Sequence, residues 1–267
     1  MTNWVRVMAA CVWGLLLSAG VAAQDKADSL RMALVQAHLA WGDVEKNLSA
    51  FGERVDRCTD CDVIVFPELF VSGCEMKKKP AAVAVASKDE VAASYAAVRA
   101  AMLEWAARTG ALVIGSTVYQ EEGKYYNRLL AAYPDGTCLH YDKHNCFKKG
   151  SFSAGKERLV LHWKGWRLAT FICYDLRFSD WSRNDGTYDM ALYIANWPET
   201  RRDDWNRLLK ERAVENRAWV AAVNCAGTDP TGLVYRGESC LLTPTGDVAA
   251  RSRDYADEIV RATARDE

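Results

Sequence analysis

Apolar positions along this chain fall into short runs that alternate between two spacings. Residues 31–37 (RMALVQA) and 62–66 (DVIVF) are brief and apolar, and the second is the pattern of a strand covered on both faces. Between them Asp43 is a good N-cap, and Val44, Leu48, Phe51 and Val55 recur at helical spacing, so a helix is predicted through Arg57. Ser87 opens a long Ala-rich helix that Gly110 closes, and 111–117 (ALVIGST) returns as a strand. The pattern then turns to hairpins. Residues 125–133 and Cys138–Asp142 flank Pro134-Asp135-Gly136, and 158–163 and Trp166–Ile172 flank Lys164-Gly165. Met190–Ala195 is another buried strand. A helix over 200–217 directs Trp205, Leu208 and Leu209 inward, and a strand covers 219–225. Residues 235–242 and Val248–Arg251 read as a last pair around 243–247. Helices and strands interleave with no linker or repeat, which predicts one α/β domain built on mixed sheets.

Composition narrows the function classes. Half of the residues are hydrophobic and 26% charged, so disorder is excluded. Lys+Arg 34 against Asp+Glu 35 leaves no basic excess for a nucleic-acid backbone. The balance suits a small-molecule enzyme or a binding domain.

The N-terminus stands apart. After Arg6, residues 7–23 (VMAACVWGLLLSAGVAA) carry no charge and end on small residues, with Val21 and Ala23 suiting the cleavage rule. Residues 1–23 therefore read as a signal peptide and 24–267 as the functional domain. An uncleaved anchor, or a true start at Met32, remain the alternatives. A cleaved leader implies an exported or periplasmic protein with no stable membrane association, and otherwise a cytoplasmic one. Of nine cysteines, only Cys58-Thr59-Asp60-Cys61 has a tight spacing. No second pair completes a zinc site, and in an exported protein this pair could oxidise.

Three segments carry chemistry. Glu68 follows the buried run 62–66 in Phe66-Pro67-Glu68-Leu69-Phe70, and the ends of strands are where α/β proteins build sites. Lys143 follows a hairpin strand in Tyr141-Asp142-Lys143. Cys173 ends an apolar strand in Ile172-Cys173-Tyr174-Asp175-Leu176-Arg177-Phe178, at the mouth of a helical turn that favours a thiolate.

Taken together and in this order, Glu68, Lys143 and Cys173 with their flanking text resemble the signatures of the nitrilase superfamily of carbon–nitrogen hydrolases. Trp181-Ser182-Arg183-Asn184, Ala195-Asn196-Trp197-Pro198, Arg212 to Asn216, Asn224 to Thr231 and Tyr235 to Ser239 are similar to the omega-amidase branch. The resemblance implies a four-layer α-β-β-α sandwich, usually dimeric through paired helix faces and a C-terminal strand. It implies hydrolysis of the distal amide of 2-oxoglutaramate and 2-oxosuccinamate, with no metal and no organic cofactor. Cys173 would be the nucleophile and Glu68 the general base, with Lys143 and the backbone N–H of Tyr174 binding the oxyanion. Arg201 and Trp197 are the candidate substrate-binding residues, with Arg201 the partner for the substrate's far carboxylate.

The chain also departs from that family. A second Glu normally follows the catalytic Lys, but residues 144–156 (HNCFKKGSFSAGK) hold no acid and are several residues short. His144-Asn145 stands where Arg-His is common, and Ser179 replaces a usual Pro. Poor support of Lys143, with slow turnover, is the expectation. Glu157 is the nearest acid in sequence, although the spacing does not favour it. Cys146 and Cys74 are expected beside the pocket or in the core. Two other readings stay open: another short amide, nitrile or N-carbamoyl substrate, or a binding protein that has lost turnover.

Overall fold

A computed structural model describes residues 25–73, 86–147 and 152–266. The expected leader over 1–23, Cys74 and part of the shortened loop lie outside the described residues.

In chain order the elements are β1 (Ser29–Gln36), α1 (Val44–Val55), β2 (Val63–Val65), α2 (Lys88–Ala93), α3 (Tyr95–Thr109), β3 (Leu112–Glu121), β4 (Lys124–Ala132) and β5 (Cys138–Asp142). They continue with β6 (Leu159–Trp163), β7 (Trp166–Ile172), α4 (Ser179–Ser182), β8 (Met190–Ala195), α5 (Arg202–Asn216) and β9 (Trp219–Asn224). The chain closes with β10 (Ala226–Thr228), β11 (Val234–Arg236), β12 (Cys240–Leu242), β13 (Val248–Arg251) and β14 (Glu258–Arg265). One six-stranded sheet runs β14-β1-β2-β3-β4-β5, a second runs β13-β12-β9-β8-β7-β6, and β10 and β11 form a small two-stranded sheet. Both six-stranded sheets are mixed: β1, β2 and β3 are parallel neighbours, as are β7, β8 and β9, and antiparallel hairpins extend them.

Alternation on the strands explains the layering. On β1, Leu30, Met32 and Leu34 join a core shared with Leu161, Leu168 and Phe171 of the second sheet, while Ala33 and Val35 pack with α1 and α3. Helix α5 closes the far side through Trp205, Leu208 and Leu209, completing the expected α-β-β-α sandwich. Asp43 caps α1 by accepting from the Lys46 N–H at 3.0 Å. No helix among the described residues is long and apolar enough to cross a membrane.

Four details differ from the pattern-based expectation. The Ala-rich helix is two helices meeting at Ser94, whose hydroxyl bonds back to the Glu90 carbonyl. Helix α5 begins at Arg202 after a short 3-10 turn over Glu199–Arg201. The strand expected over 235–242 is interrupted, because Gly237 and Glu238 both take positive φ, 85° and 63°. A Cβ on Gly237 would lie 2.1 Å from Gln36 Oε1, so only glycine lets the buried Gln36 reach Ser239 and Ser252. Finally, β14 extends beyond the last expected strand and pairs antiparallel with β1 along its whole length.

Candidate active site

The two sheets bring separate segments of sequence to one rim of the sandwich. Glu68 leaves β2 in a turn tied to β3: Leu69 N–H donates to Ser116 Oγ at 2.8 Å and Phe70 N–H to the Ser116 carbonyl at 3.2 Å. Lys143 extends the β4–β5 ladder by donating its N–H to the Asn127 carbonyl at 3.0 Å. Cys173 follows β7 and starts a 3-10 turn over Cys173–Arg177. Its φ of +47° is a left-handed conformation that costs a non-glycine residue of order 1–3 kcal/mol and gathers at functional turns.

Lys143 and Glu68 form a buried ion pair, Nζ to Oε1 at 2.7 Å, with side chains 6% and 2% exposed. Asn127 Nδ2 donates to the same oxygen at 2.7 Å, while Oε2 accepts the backbone N–H of Asn196 at 2.9 Å. Burial works to lower the Lys143 pKa, but the charges of Glu68 and Cys173 hold it above the ordinary lysine range. The thiol therefore lies within the electrostatic reach of the ammonium. Strand pairing agrees, since Ile172 is level with Ile194 and puts Cys173 beside Ala195-Asn196 at the C-terminal edge.

Asp175 ties the cysteine turn to the lysine loop. Oδ2 accepts the Ile172 N–H at 2.9 Å and the Tyr141 hydroxyl at 2.7 Å; Oδ1 accepts the Asn145 N–H at 2.8 Å and Nδ2 at 3.0 Å. Burial pushes the Asp175 carboxyl up, against the opposing pull of Lys143 and these donors. Trp181 Nε1 donates to Tyr141 Oη at 3.0 Å, and its indole stacks on His144 at 3.6 Å between ring centroids.

The acid-free loop does not leave Lys143 loose. Gly155 N–H donates to the Lys143 carbonyl at 3.0 Å, and the Gly155 carbonyl bonds His144 Nδ1 at 2.7 Å. A Cβ on Gly155 would sit 2.1 Å from the Asp142 carbonyl oxygen, so glycine permits the short return. Glu157 is exposed and takes no part in this packing. Cys146 is half-buried with Sγ 3.8 Å from the Lys143 carbonyl, beside the site as expected.

Arg201 is half-buried, with its guanidinium 4.4 Å from the Phe147 ring centroid, and among the described residues no carboxylate pairs with it. Phe147 in turn packs edge-on against Tyr174, the neighbour of Cys173, at 5.2 Å. Arg177, by contrast, is held by Asp204 at 2.7 Å. Trp197 is 3% exposed, and its indole N–H donates to the Arg201 carbonyl at 2.7 Å, so it supports the Arg201 turn from beneath.

Sequence reasoning missed Asn127, Asn145, Tyr141 and Asp175 as parts of the site. A signal existed for Asn127, an amide two residues before the apolar run LLAAY (129–133) in the same predicted strand. Asn196 is likewise buried, and among the described residues neither side-chain polar atom has a partner.

Two stacked mixed sheets that carry a carboxylate, an amine and a thiol to one rim define a hydrolase of carbon–nitrogen bonds. The chain belongs to the carbon–nitrogen hydrolase family, whose model matches residues 31–265. It is 40% identical over 228 residues to the omega-amidase YafV of Yersinia enterocolitica, covering 84% of this chain and 85% of that one. It is 30% identical over 241 residues to the 2-oxoglutaramate amidase of Bacillus subtilis, covering 86% and 89%. Among solved structures, a CN-hydrolase superfamily protein of Xanthomonas campestris, with an arsenic adduct in its active site, superposes with TM-score 0.81 at 34% identity, covering 88% and 90%.

Proposed function

We propose that this protein is an omega-amidase that releases ammonia from the distal amide of small dicarboxylic keto acids such as 2-oxoglutaramate and 2-oxosuccinamate. The observation that carries the reading is the buried Lys143–Glu68 pair beside the strained Cys173 turn, in a chain so similar to omega-amidases over most of its length.

Cys173 Sγ attacks the amide carbon, and Glu68 takes the thiol proton. Among the described residues Oε1 of Glu68 already accepts from Lys143 and Asn127, whereas Oε2 has one donor, so Oε2 is the oxygen with capacity for that proton. The tetrahedral oxyanion is met by the Lys143 ammonium and by the N–H of Tyr174, which lies in the first turn after Cys173, where N–H groups lack intrahelical acceptors. Collapse expels the amine as ammonia, with the proton returned from Glu68. Water, deprotonated by the same carboxylate, then attacks the thioester, releasing the keto acid and restoring the thiol. Arg201 binds the far carboxylate, which its unpaired guanidinium suits.

The test is ammonia release from 2-oxoglutaramate, alongside a nitrile, an N-carbamoyl amine and an uncharged short amide. Turnover on the keto-amide that disappears in Cys173→Ala is expected; turnover confined to another substrate overturns the substrate assignment. Binding of the keto-amide with no acyl adduct on Cys173 and no ammonia overturns the enzyme reading. The same reading includes a homodimer, for which the exposed Phe178 and Val214 offer apolar contact, and light scattering measures it. It also includes export after loss of residues 1–23, read by N-terminal sequencing from the native host.

A further inference from the structure

The sequence motif Cys58-Thr59-Asp60-Cys61 takes no part in the chemistry above. It lies between α1 and β2, at the end of β2 opposite to Glu68. Both thiols are free and buried, at 0% and 5% exposure.

Their geometry is that of a closed pair. Cys61 N–H donates to the Cys58 carbonyl at 3.4 Å, an i to i+3 turn. Residues so joined have Cα atoms closer than about 7 Å, and a disulfide spans roughly 4.4–6.8 Å. Cys58 Sγ donates to the Arg54 carbonyl at 3.2 Å, and Cys61 Sγ lies 3.9 Å from Asp60 Oδ1. Arg261 reaches across from β14 and donates to Cys61 Sγ at 3.5 Å.

The charges around the pair separate the two sulfurs. The neighbouring Cys58 thiol and the positive charges of Arg261 and Arg31 lower the Cys61 pKa, while burial and Asp60 oppose them. Asp60 is itself ion-paired to Arg261, which blunts its effect. Cys58 moves the other way, raised by the neighbouring Cys61 sulfur and by burial, with Arg261 and Arg57 acting against the rise. The Arg261 guanidinium at Cys61 Sγ prepares that sulfur as nucleophile, while Cys58 keeps its proton on the Arg54 carbonyl, the division of labour that a dithiol exchange requires. A guanidinium beside the sulfurs disfavours an added cation but tolerates a neutral disulfide.

We propose that Cys58 and Cys61 form a reversible dithiol–disulfide site, oxidised by small disulfides of the glutathione class. The Cys61 thiolate attacks one sulfur of the oxidant, breaking its S–S bond and releasing one thiol that takes up a proton. Cys58 then loses its proton to solvent and attacks Cys61 Sγ, breaking the mixed disulfide and releasing the second thiol. Two protein thiols lose two electrons, and one disulfide becomes two thiols.

The experiment incubates the native protein with glutathione disulfide, alkylates the remaining thiols and maps the peptides by mass. The expected result is loss of two hydrogens within 58–61, reversed by dithiothreitol. Cys58→Ser is expected to hold one glutathione on Cys61, and Cys61→Ser to take none on Cys58. In case these variants fold poorly, Arg261→Gln supplies a second reading: alkylation of Cys61 near neutral pH slows by about tenfold, the effect of one pKa unit. Cys58 and Cys61 both remaining alkylatable after the oxidant treatment overturns the proposal. So does glutathione uptake at Cys58 in preference to Cys61, or unchanged Cys61 alkylation in Arg261→Gln.

Discussion

Lys143 and Asn127 share one acceptor: both donate to Oε1 of Glu68 at 2.7 Å. The backbone of Lys143 bonds to the backbone of Asn127 as well, so the amide and the ammonium approach the carboxylate from adjacent strand positions. Asn127→Ala removes one of two donors without touching the reacting atoms. It is expected to lower kcat by about ten- to a hundredfold with little change in KM, the cost of a misplaced group. Glu68→Gln removes the proposed proton acceptor and is expected to cost about a thousandfold or more in kcat. Steady-state ammonia release measures both, and equal losses would mean Asn127 does more than aim Glu68.

Asp175 is the bridge between the Cys173 turn and the Lys143 loop, and an amide cannot accept from all four of its donors. Asp175→Asn is expected to destabilise the fold by about 2–5 kcal/mol, the range for a broken buried charged network. Urea unfolding reads that loss. At temperatures where the variant stays folded, kcat should still fall by about tenfold or more through the displaced lysine.

Arg201 should distinguish charged from neutral substrates. Loss of a hydrogen bond to a carboxylate is worth about 1.5–3 kcal/mol, so Arg201→Ala is expected to raise KM for 2-oxoglutaramate by roughly ten- to a hundredfold. KM for an uncharged short amide should barely move. A parallel rise for both substrates would assign Arg201 to folding of its turn.

Acid should weaken one joint between the sheets. Burial works to raise the Asp62 carboxyl, but hydrogen bonds from Arg31 and Lys164 outweigh it and bring the pKa from 3.8 down to about 2. A depressed folded-state value means the ionised form stabilises the fold above pH near 4, and the contribution fades as pH falls towards 2. Asp62→Asn is therefore expected to melt a few degrees below the parent at pH 6, with the gap closing between pH 4 and 2. Calorimetry across that range checks the sign.

Much of the fold and the core of the site is legible in the sequence, and the exceptions have physical causes. Glu68 and Cys173 stand out because each closes an apolar run, and a strand with one polar terminus advertises a rim, whereas Lys143 follows a hairpin strand of mixed character, CLHYD. Asp175 and Tyr141 do not stand out, since their role is to face each other across 34 positions, and local pattern carries no such distance. Strand β14 is faint because its inward positions are Val260, Ala262 and Ala264, and two alanines scarcely register as apolar alternation. The interruption at Gly237-Glu238 is bracketed by strand-like Tyr235-Arg236 and Cys240-Leu241-Leu242; what demands it is Gln36, 201 positions away, which needs the space of a missing side chain.

Glu68 and Lys143 belong to one sheet and Cys173 to the other. Neither half of the chain can therefore assemble a competent centre by itself, and hydrolysis reports on the moment the two layers dock. In that arrangement the proposed nucleophile and its proposed proton acceptor meet only where the two layers are joined.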